Sequence, residues 1–273
     1  QSFTLTADFS IVALVMTMII IAGEIDLSPA ANMALSACLF AWTFQATGSM
    51  PLALVVGIGA GVLMGVFNGL LVIGLQLPSI IVTIGTLTLY RGIAQIIAGD
   101  ESIRLPEYFI GFNTWLIAGL PAPDLLFVVL SIGLGLVLGT TIYGRQIYQT
   151  GTNEIAAQHA GIRTRRLKMG LFITMGFVSA IAGIITASRL GSVRYDLGLG
   201  GELQMVLMAM LGGTYIFGGR GSILGTFLAA WLLSVISTGM TTAHQMPATQ
   251  LCVLGVLLII SIIATNFIYS RTQ

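Results

Sequence analysis

Long runs of apolar residues fill most of this chain, and few charged residues interrupt them. Of 273 residues, 56% are hydrophobic and 8% are charged, with 11 basic and 10 acidic side chains. Soluble domains carry about 25% charged residues. Because so few charges cannot cover the surface of a water-soluble fold of this length, we predict an integral membrane protein. This composition excludes an aqueous enzyme, a nucleic-acid-binding protein and a secreted disulfide scaffold.

The apolar runs predict the membrane crossings. A helix needs about 20 apolar residues to cross a hydrocarbon core about 30 Å thick. Pro51, Pro78 and Pro247 mark helix starts, where proline is tolerated. The nine predicted helices cover residues 9–23, 28–47, 51–75, 78–98, 124–142, 169–191, 201–217, 222–240 and 247–268. We therefore predict an all-α polytopic membrane protein, with a single transmembrane domain over residues 1–273.

The two long polar loops predict the orientation of the helices. Residues 143–168 carry five basic side chains and one acidic side chain. Loops rich in Lys and Arg stay in the cytoplasm, so this loop is predicted to be cytoplasmic and residues 99–123 to lie outside. Residue 1 then lies outside, and we expect a missing N-terminal helix that would give ten crossings. The basic residues predicted to face the cytoplasm are Arg145, Arg163, Arg165, Arg166, Lys168, Arg220 and Arg271.

Four glycines at a spacing of four residues form a stripe on the helix predicted over 51–75. Small residues at this spacing allow helix backbones to approach closely in lipid. The stripe therefore predicts a helix-packing face, and a moving or substrate-lining face is the alternative. Its members are Gly57, Gly61, Gly65 and Gly69.

Residues 23–29 interrupt the apolar sequence with two carboxylates, Glu24 and Asp26, followed by Ser28 and Pro29. A charge at the bilayer centre costs at least about 2.5–3.5 kcal/mol on insertion scales. One interpretation is a cytoplasmic turn with a helix N-cap at Asp26 or Ser28. The other is an unwound segment that lines a polar cavity, as irregular backbone at membrane depth requires. Both interpretations stay open at this point.

Three other features interrupt the apolar pattern. Asn68 is predicted either to bond across helices or to face a pathway. Arg91 is predicted to snorkel outward or to pair with a carboxylate. Residues 211–221 contain five glycines in eleven positions, which disfavours a straight helix and predicts a short or broken helix with a tight turn.

The sequence contains no recognisable catalytic or metal-binding set. His159 and His244 lie in loops predicted on opposite faces of the membrane, which argues against a His metal cluster or a Ser-His-Asp set. A Walker A sequence is absent, so the chain does not bind ATP by a P-loop. We predict no catalytic residue, no metal ligand and no cofactor in this chain. Cys38 and Cys252 lie in apolar runs and are predicted to be packing residues.

The predicted cytoplasmic loop contains a short helix. Asn153 can cap its start, residues 154–160 are mostly good helix formers, and Gly161 can supply a left-handed C-cap. A two-turn helix is unstable alone in water, so it must rest on another surface. Small side chains suit docking into a partner's groove, and packing only on its own membrane domain is the alternative. The small residues are Ala156, Ala157 and Ala160.

Four stretches resemble, in the same order, the motifs of one family of membrane proteins. Residues 23–28 (GEIDLS) resemble GGIDLS, and residues 78–92 (PSIIVTIGTLTLYRG) resemble PxxIxTLGTxxxxRG. Residues 144–162 (GRQIYQTGTNEIAAQHAGI) resemble GRxIYAxGxNxxAAxxxGI, and residues 211–226 (LGGTYIFGGRGSILGT) resemble LGGTSxxGGxGxxxGT. The chain is thus similar to the membrane permeases of bacterial ABC importers for ribose and related sugars. These permeases belong to the branched-chain amino acid/ribose permease superfamily, whose sugar members handle xylose, rhamnose, galactofuranose or autoinducer-2.

The resemblance implies a place in an inner-membrane assembly. Two permeases pair around a pathway, two ATPase subunits bind ATP and Mg²⁺ on the cytoplasmic side, and a periplasmic sugar-binding protein docks outside. The permease itself is not an enzyme, and it converts the motion of the ATPases into alternating access. The short cytoplasmic helix corresponds to the coupling helix that fits into the ATPase. The positions carried over to this role are Gly151, Asn153, Ala156, Ala157, Gly161 and Ile162.

A neutral sugar needs weak polar contacts along its path. The chain departs from the family pattern at Glu24, where Gly is usual, and at Pro29 and Ala30, where Val-Gly is common. If this stretch lines the pathway, these differences alter the substrate or mark one half of a heterodimer. The outer-loop sequence at 99–109 favours the rhamnose or autoinducer-2 branch. The candidate pathway residues are Glu24, Asp26, Asn32, Asn68, Thr83, Thr86 and Thr88.

The alternative function is a secondary carrier or facilitator for a small polar solute, which would need no ATPase. An intramembrane enzyme would need a nucleophile and a base converging at one depth, and the sequence offers no such pair.

Overall fold

The computed structural model describes residues 6–110, 115–117 and 119–270, and helices dominate these ranges. The helices are α1 (Ala7–Ile21), α2 (Pro29–Thr47), α3 (Met50–Gly69), α4 (Ser79–Ala98), α5 (Glu107–Ile110), α6 (Ala122–Thr140), α7 (Ile142–Thr152), α8 (Glu154–His159), α9 (Thr164–Leu190), α10 (Gly201–Leu211), α11 (Ile223–Thr242) and α12 (Pro247–Ser270). A π-helical turn, Leu70–Gly74, continues α3. The strands are β1 (Ile103–Arg104), β2 (Leu116–Ile117), β3 (Leu120–Pro121) and β4 (Ser192–Val193).

The described residues form an all-α polytopic membrane fold. Six of their helical segments are long and apolar enough to cross a membrane. These are α3 with its π-helical turn, α4, α6, α9, α11 and residues 248–267 of α12. The two further apolar helices α1 and α10 are shorter, with 15 and 11 residues. A helix therefore lies in each of the nine predicted segments, but the structure does not establish nine crossings.

Proline and glycine set several helix boundaries. Pro51 lies in the first turn of α3, Pro78 is the N-cap residue of α4, and Pro247 begins α12, so these predicted starts are confirmed. The helix predicted over 201–217 is too long, because α10 ends at Leu211. The chain turns there at Gly213, whose φ of 84° is unfavourable for residues with a side chain.

The chain divides into two compact units. The first comprises Gln1–Glu24, Leu126–Leu167 and Leu203–Gln273, and the second comprises Ile25–Leu125 and Lys168–Glu202. In the second unit, α2 packs against α3 and α4. Two segments of this unit outside the helices form a short antiparallel pair, β1 with β4, in which Ile103 faces Val193. The sequence did not predict this pairing.

The glycine stripe of α3 approaches α2 and α9 closely. A Cβ atom on Gly57 would lie 2.9 Å from Cβ of Phe40 in α2, and one on Gly61 would lie 2.6 Å from the carbonyl oxygen of Gly176 in α9. Gly59, on another face of α3, has open space where its Cβ would be. The close contacts are therefore limited to one face of α3. Of the other two stripe glycines, Gly65 approaches Phe172 and Gly69 approaches Met169.

In the first unit, α1 is an interior helix. Val12, Leu14 and Met16 have no exposed surface, and a helix that is apolar and buried all round belongs to a core. The hydroxyls of Thr17 in α1 and Thr226 in α11 share a hydrogen bond of 2.6 Å. This bond satisfies two polar groups that water cannot reach.

Candidate functional site

The helix predicted in the loop is α8, and its caps are confirmed. Asn153 Oδ1 accepts a hydrogen bond of 2.9 Å from the amide of Ala156, which is the geometry of a side-chain N-cap. Gly161 has a φ of 84°, and the amide of Ile162 donates to the carbonyl of Ala157 at 3.0 Å. This is a left-handed C-cap of the Schellman type. The sequence therefore closes both ends of a six-residue helix.

The two sides of α8 differ in exposure. Ala157 is 4% exposed and lies on the buried side, whereas Ile155 is 68% exposed. A cleft of about 360 Å³ lies between α7 and α8, and Ala156 and Ile162 contribute to its lining. A small helix with a large exposed apolar side chain is suited to a protein partner.

Gly151 lies where α7 meets the end of α1 and the glycine-rich turn. A Cβ atom on Gly151 would overlap the carbonyl oxygen of Ile21 and would lie 2.6 Å from the amide nitrogen of Gly219. The amide of Gly219 donates to the same carbonyl of Ile21 at 2.8 Å. Only glycine at position 151 permits this approach of three backbone segments.

Other glycines complete this contact, which we call the glycine junction and define as Gly23, Gly151, Gly218 and Gly219. A Cβ atom on Gly218 would lie 2.9 Å from the carbonyl oxygen of Gly151 and 3.0 Å from the Cα of Gly23. The φ angles of Gly23, Gly218 and Gly219 lie between 77° and 88°, which strains residues with a side chain. Three of the four motif stretches therefore meet at the glycine junction, within the first unit.

Tyr148 strengthens the connection next to the junction. Its hydroxyl donates to the carbonyl oxygen of Gly221 at 2.7 Å. Burial raises the pKa of Tyr148 above its usual range, and the nearby Tyr269 adds to the rise. The hydroxyl therefore keeps its proton and remains a donor at physiological pH. The residue belongs to the GRQIYQ stretch, but its partner in the glycine-rich turn was not predictable from sequence.

In the second unit, a chain of hydrogen bonds begins at the polar break before α2. Asp26 Oδ1 accepts from the amide of Ser28 at 2.8 Å and from the Ser28 hydroxyl at 2.7 Å. Ser28 is the N-cap residue of α2, but its side chain makes no capping bond. Ser28 is one of the two N-cap positions offered by the sequence, and the structure places the cap there without a side-chain capping bond, because the hydroxyl is bound to Asp26.

The chain of hydrogen bonds continues into α3 and α4. Asn68 Nδ2 donates to Ser28 Oγ at 2.7 Å, and the hydroxyl of Tyr90 donates to Asn68 Oδ1 at 2.9 Å. Asp26, Ser28, Asn68 and Tyr90 are each at most 3% exposed. We call these four residues the buried polar chain. Tyr90 and Ser28 lie in quoted motif stretches, yet their participation was not predicted.

The other predicted pathway residues differ in their contacts. Asn32 Nδ2 donates to the carbonyl of Gly61 at 3.2 Å, which joins α2 to α3. The Thr83 hydroxyl donates to the carbonyl of Ser79 at 2.8 Å, and Thr86 is buried on the same helix. Glu24, in the first unit, is partly exposed. Thr88 is exposed on α4. The Thr83 hydroxyl also lies 3.4 Å from the carbonyl oxygen of Ile25. The structure thus gathers Asp26 with Asn68 and brings Thr83 to the same polar break.

For Arg91, the sequence predicts either outward snorkelling or pairing with a carboxylate, and the hydrogen bonds of its side chain bear on the second alternative. Its Nη1 donates to the carbonyl oxygens of Tyr195 and Leu197, both at 2.7 Å. Its hydrogen bonds therefore go to backbone carbonyls and not to a carboxylate. The segment after β4 supplies these acceptors in the second unit.

Comparison with known proteins decides the family. Residues 1–262 match the family described as "Branched-chain amino acid transport system / permease component". The chain belongs to this family. The permease family consists of transport components, so this permease is not an enzyme, and it resides in the bacterial inner membrane.

Several curated relatives of the permease are named as permease proteins of autoinducer 2 import systems. "Autoinducer 2 import system permease protein LsrC" of Escherichia coli (strain K12 / DH10B) is 34% identical over 223 residues, covering 81% of this chain and 65% of the relative. LsrC of Yersinia enterocolitica is 35% identical over 227 residues, covering 81% and 62%. The matched region thus spans less than two thirds of these LsrC proteins. "Autoinducer 2 import system permease protein LsrD" of Escherichia coli O9:H4 is 31% identical over 278 residues, covering 98% and 84%. No solved structure matches the chain.

Proposed function

We propose that the permease is the membrane subunit of an ATP-driven importer that moves a simple sugar into the cytoplasm. The substrate class includes a pentose, a deoxyhexose or a furanose signal such as autoinducer-2. The names of the LsrC and LsrD relatives support the furanose signal. The observation that carries the proposal is the capped helix α8, which presents Ile155 next to the glycine junction.

The proposed assembly has four kinds of component. A second permease, identical or homologous, completes the pathway. ABC ATPase subunits on the cytoplasmic side bind ATP and Mg²⁺, and a periplasmic binding protein delivers the sugar. The permease catalyses no reaction in this scheme.

In the proposed mechanism, α8 docks on the ATPase and moves with it. ATP binding draws the two coupling helices of the permease pair together, and the pathway opens outward. The movement passes from α8 to Gly151 and then to two contacts of Gly151, namely the end of α1 and the turn at Gly219. Backbone packed on backbone transmits displacement with little loss, because packed interiors have low compressibility.

The same proposal covers the topology. We propose nine crossings for this chain within one transmembrane domain, with residues 143–168 as the cytoplasmic loop. The positive residues of this loop support the orientation. The helices α1 and α10 are too short to cross the membrane alone. In this proposal, each completes its crossing with the non-helical segment that follows it. Irregular backbone at membrane depth is tolerated where it is buried in protein or lines a cavity.

We further propose that the pathway passes the polar break before α2. The buried polar chain fixes the backbone of residues 26–28, because Asp26, Ser28 and Asn68 bond to each other. Their polar atoms are thus already partnered, which suits a shaping role.

Transport in vesicles tests the proposed function. The permease is reconstituted with an ABC ATPase that co-purifies with it and with a periplasmic sugar-binding protein of the same organism, and uptake of radiolabelled ribose, rhamnose and autoinducer-2 is measured. We expect uptake of at least one of these sugars to require all of these components. It should also require ATP on the side of the vesicle membrane where the ATPase is bound. Uptake by the permease alone, down a gradient and without ATP, would instead establish the facilitator and reject the importer.

A further inference from the structure

An apolar groove runs between α6 and α11 in the first unit. It has a volume of about 550 Å³, which lies within the range of about 300–1,000 Å³ typical of small-ligand sites. Ile132, Leu136 and Phe227 line it, and Gly135 and Gly139 leave space along one side. Both helices are long and apolar enough to span a membrane, and a groove between two such helices would lie along the hydrocarbon core.

The groove has a basic end. Its lining reaches Gly139 in the last turn of α6. One residue further on, the carbonyl of Thr140 accepts a hydrogen bond of 3.4 Å from Nη1 of Arg145, and the Arg145 side chain is exposed. A guanidinium group therefore lies close to this end of the groove.

More arginines belong to the same surface. The hydroxyl of Tyr143 donates to the carbonyl of Leu167 at 3.3 Å, so the start of α7 lies beside the first turn of α9. Around this first turn, three further arginine residues are exposed. Anionic lipids attract such clusters by about 1 kcal/mol for each basic residue near the membrane surface. The three residues are Arg163, Arg165 and Arg166.

We propose that this groove binds one acyl chain of an anionic glycerophospholipid, whose phosphate contacts Arg145. The apolar lining excludes a polar solute, and its depth in the membrane excludes a soluble ligand. The charge at its basic end selects an anionic headgroup over a zwitterionic one. The groove includes Tyr148, which also bonds the glycine-rich turn, but its lipid binding is measured without transport, so the inference stands or falls separately from the proposed importer function.

Native mass spectrometry of the full chain in detergent tests this site, with phosphatidylglycerol and phosphatidylcholine of equal acyl length as probes. We expect phosphatidylglycerol to bind more tightly. Arg145→Gln should weaken phosphatidylglycerol binding about fivefold, the loss expected for one interfacial cation, and should weaken phosphatidylcholine binding less, because the choline cation of that lipid offsets its phosphate charge. Arg104→Gln is the matched control, since Arg104 is also exposed but lies in β1 of the second unit.

A second pair of variants tests the groove itself. Gly139→Leu fills the groove, whereas Gly133→Leu places the same side chain elsewhere on α6; a Cβ atom at either position has open space. We expect Gly139→Leu to weaken binding of both lipids and Gly133→Leu to weaken neither. Equal binding of the two lipids by the wild-type chain, or unchanged binding by Gly139→Leu, overturns the proposal. A change in oligomeric state caused by Gly139→Leu, with lipid binding unchanged, would assign the groove to a second copy of the chain.

Discussion

The hydroxyl of Tyr148 donates to the carbonyl oxygen of Gly221 at 2.7 Å, and this bond joins α7 to the glycine-rich turn. Seventy-three positions separate the two residues in sequence. The bond lies beside Gly151, where α7 contacts the end of α1 and the same turn. The base of the proposed coupling element is therefore attached to the rest of the first unit at two neighbouring positions.

Tyr148→Phe removes this bond and retains the ring. We expect the free energy of unfolding to fall by about 1 kcal/mol and ATP-driven uptake to fall severalfold, because α7 can then move without the turn. Thermal unfolding in detergent and uptake in vesicles measure the two effects. Tyr143→Phe on the same helix is the control, since its hydroxyl makes only a 3.3 Å bond to Leu167. Equal loss of uptake in both variants contradicts a specific role for Tyr148.

Gly151→Ala tests the glycine junction. The added methyl group would overlap backbone atoms of Ile21 and Gly219, which cannot move aside as a flexible side chain can. We expect loss of uptake and a destabilisation of about 1–3 kcal/mol, as for other overpacked sites. Gly255→Ala in α12 is the matched control, because its Cβ has open space. Uptake of wild-type magnitude by Gly151→Ala would show that the backbone segments of the glycine junction can move apart without loss of transport.

Gly61→Ala tests the stripe on α3. Its Cβ would press against α9 at the carbonyl of Gly176, whereas Gly59→Ala on the same helix would meet nothing. We expect Gly61→Ala to lower the midpoint of thermal unfolding. Gly59→Ala should leave it unchanged or raise it slightly, because Ala favours helix by about 0.5–1 kcal/mol over Gly. Identical midpoints for the two variants are the result that this prediction forbids.

Asn68→Ala and Tyr90→Phe test the buried polar chain. Asn68→Ala removes the bonds of Asn68 to Ser28 and Tyr90, and Tyr90→Phe removes the bonds of its hydroxyl to Asn68 and to the carbonyl of Met64. We expect each variant to cost about 1 kcal/mol or more, in the range of hydrogen bonds between membrane helices. Because Asn68 and Tyr90 bond to each other at 2.9 Å, the double variant should lose less stability than the two single variants added together. Chemical unfolding of the four proteins completes the cycle. Strict additivity would mean that the bond contributes nothing measurable.

Ile155→Ser tests the docking role of α8. Ile155 is 68% exposed, so the substitution should not change the stability of the permease. We expect it to weaken co-purification with the ATPase at least tenfold, as loss of an apolar anchor does at an interface. Ile142→Ser at the start of α7 is the control, because Ile142 is 66% exposed. Undiminished co-purification of Ile155→Ser would remove α8 from the proposed interface.

Local features of this protein were readable from sequence. The caps at Asn153 and Gly161, and the helix starts at Pro51 and Pro247, follow from the backbone preferences of single residues. The glycine spacing on α3 also indicated which face packs closely, because a period of four residues keeps one side of a helix in contact. These properties depend on neighbours within one or two turns of the chain.

Tertiary structure decided which distant residues meet. Gly23, Gly151 and Gly219 lie in three separate motif stretches, and only the folded backbone brings them to one junction. In the same way, the link from Asp26 through Ser28 to Asn68 joins residues up to 42 positions apart, as their numbers show. Apolar runs determined that the chain enters a membrane, since burial of uncharged sequence in lipid requires no particular partner. Hydrogen bonds and backbone contacts do require particular partners, and their geometry depends on how the helices pack.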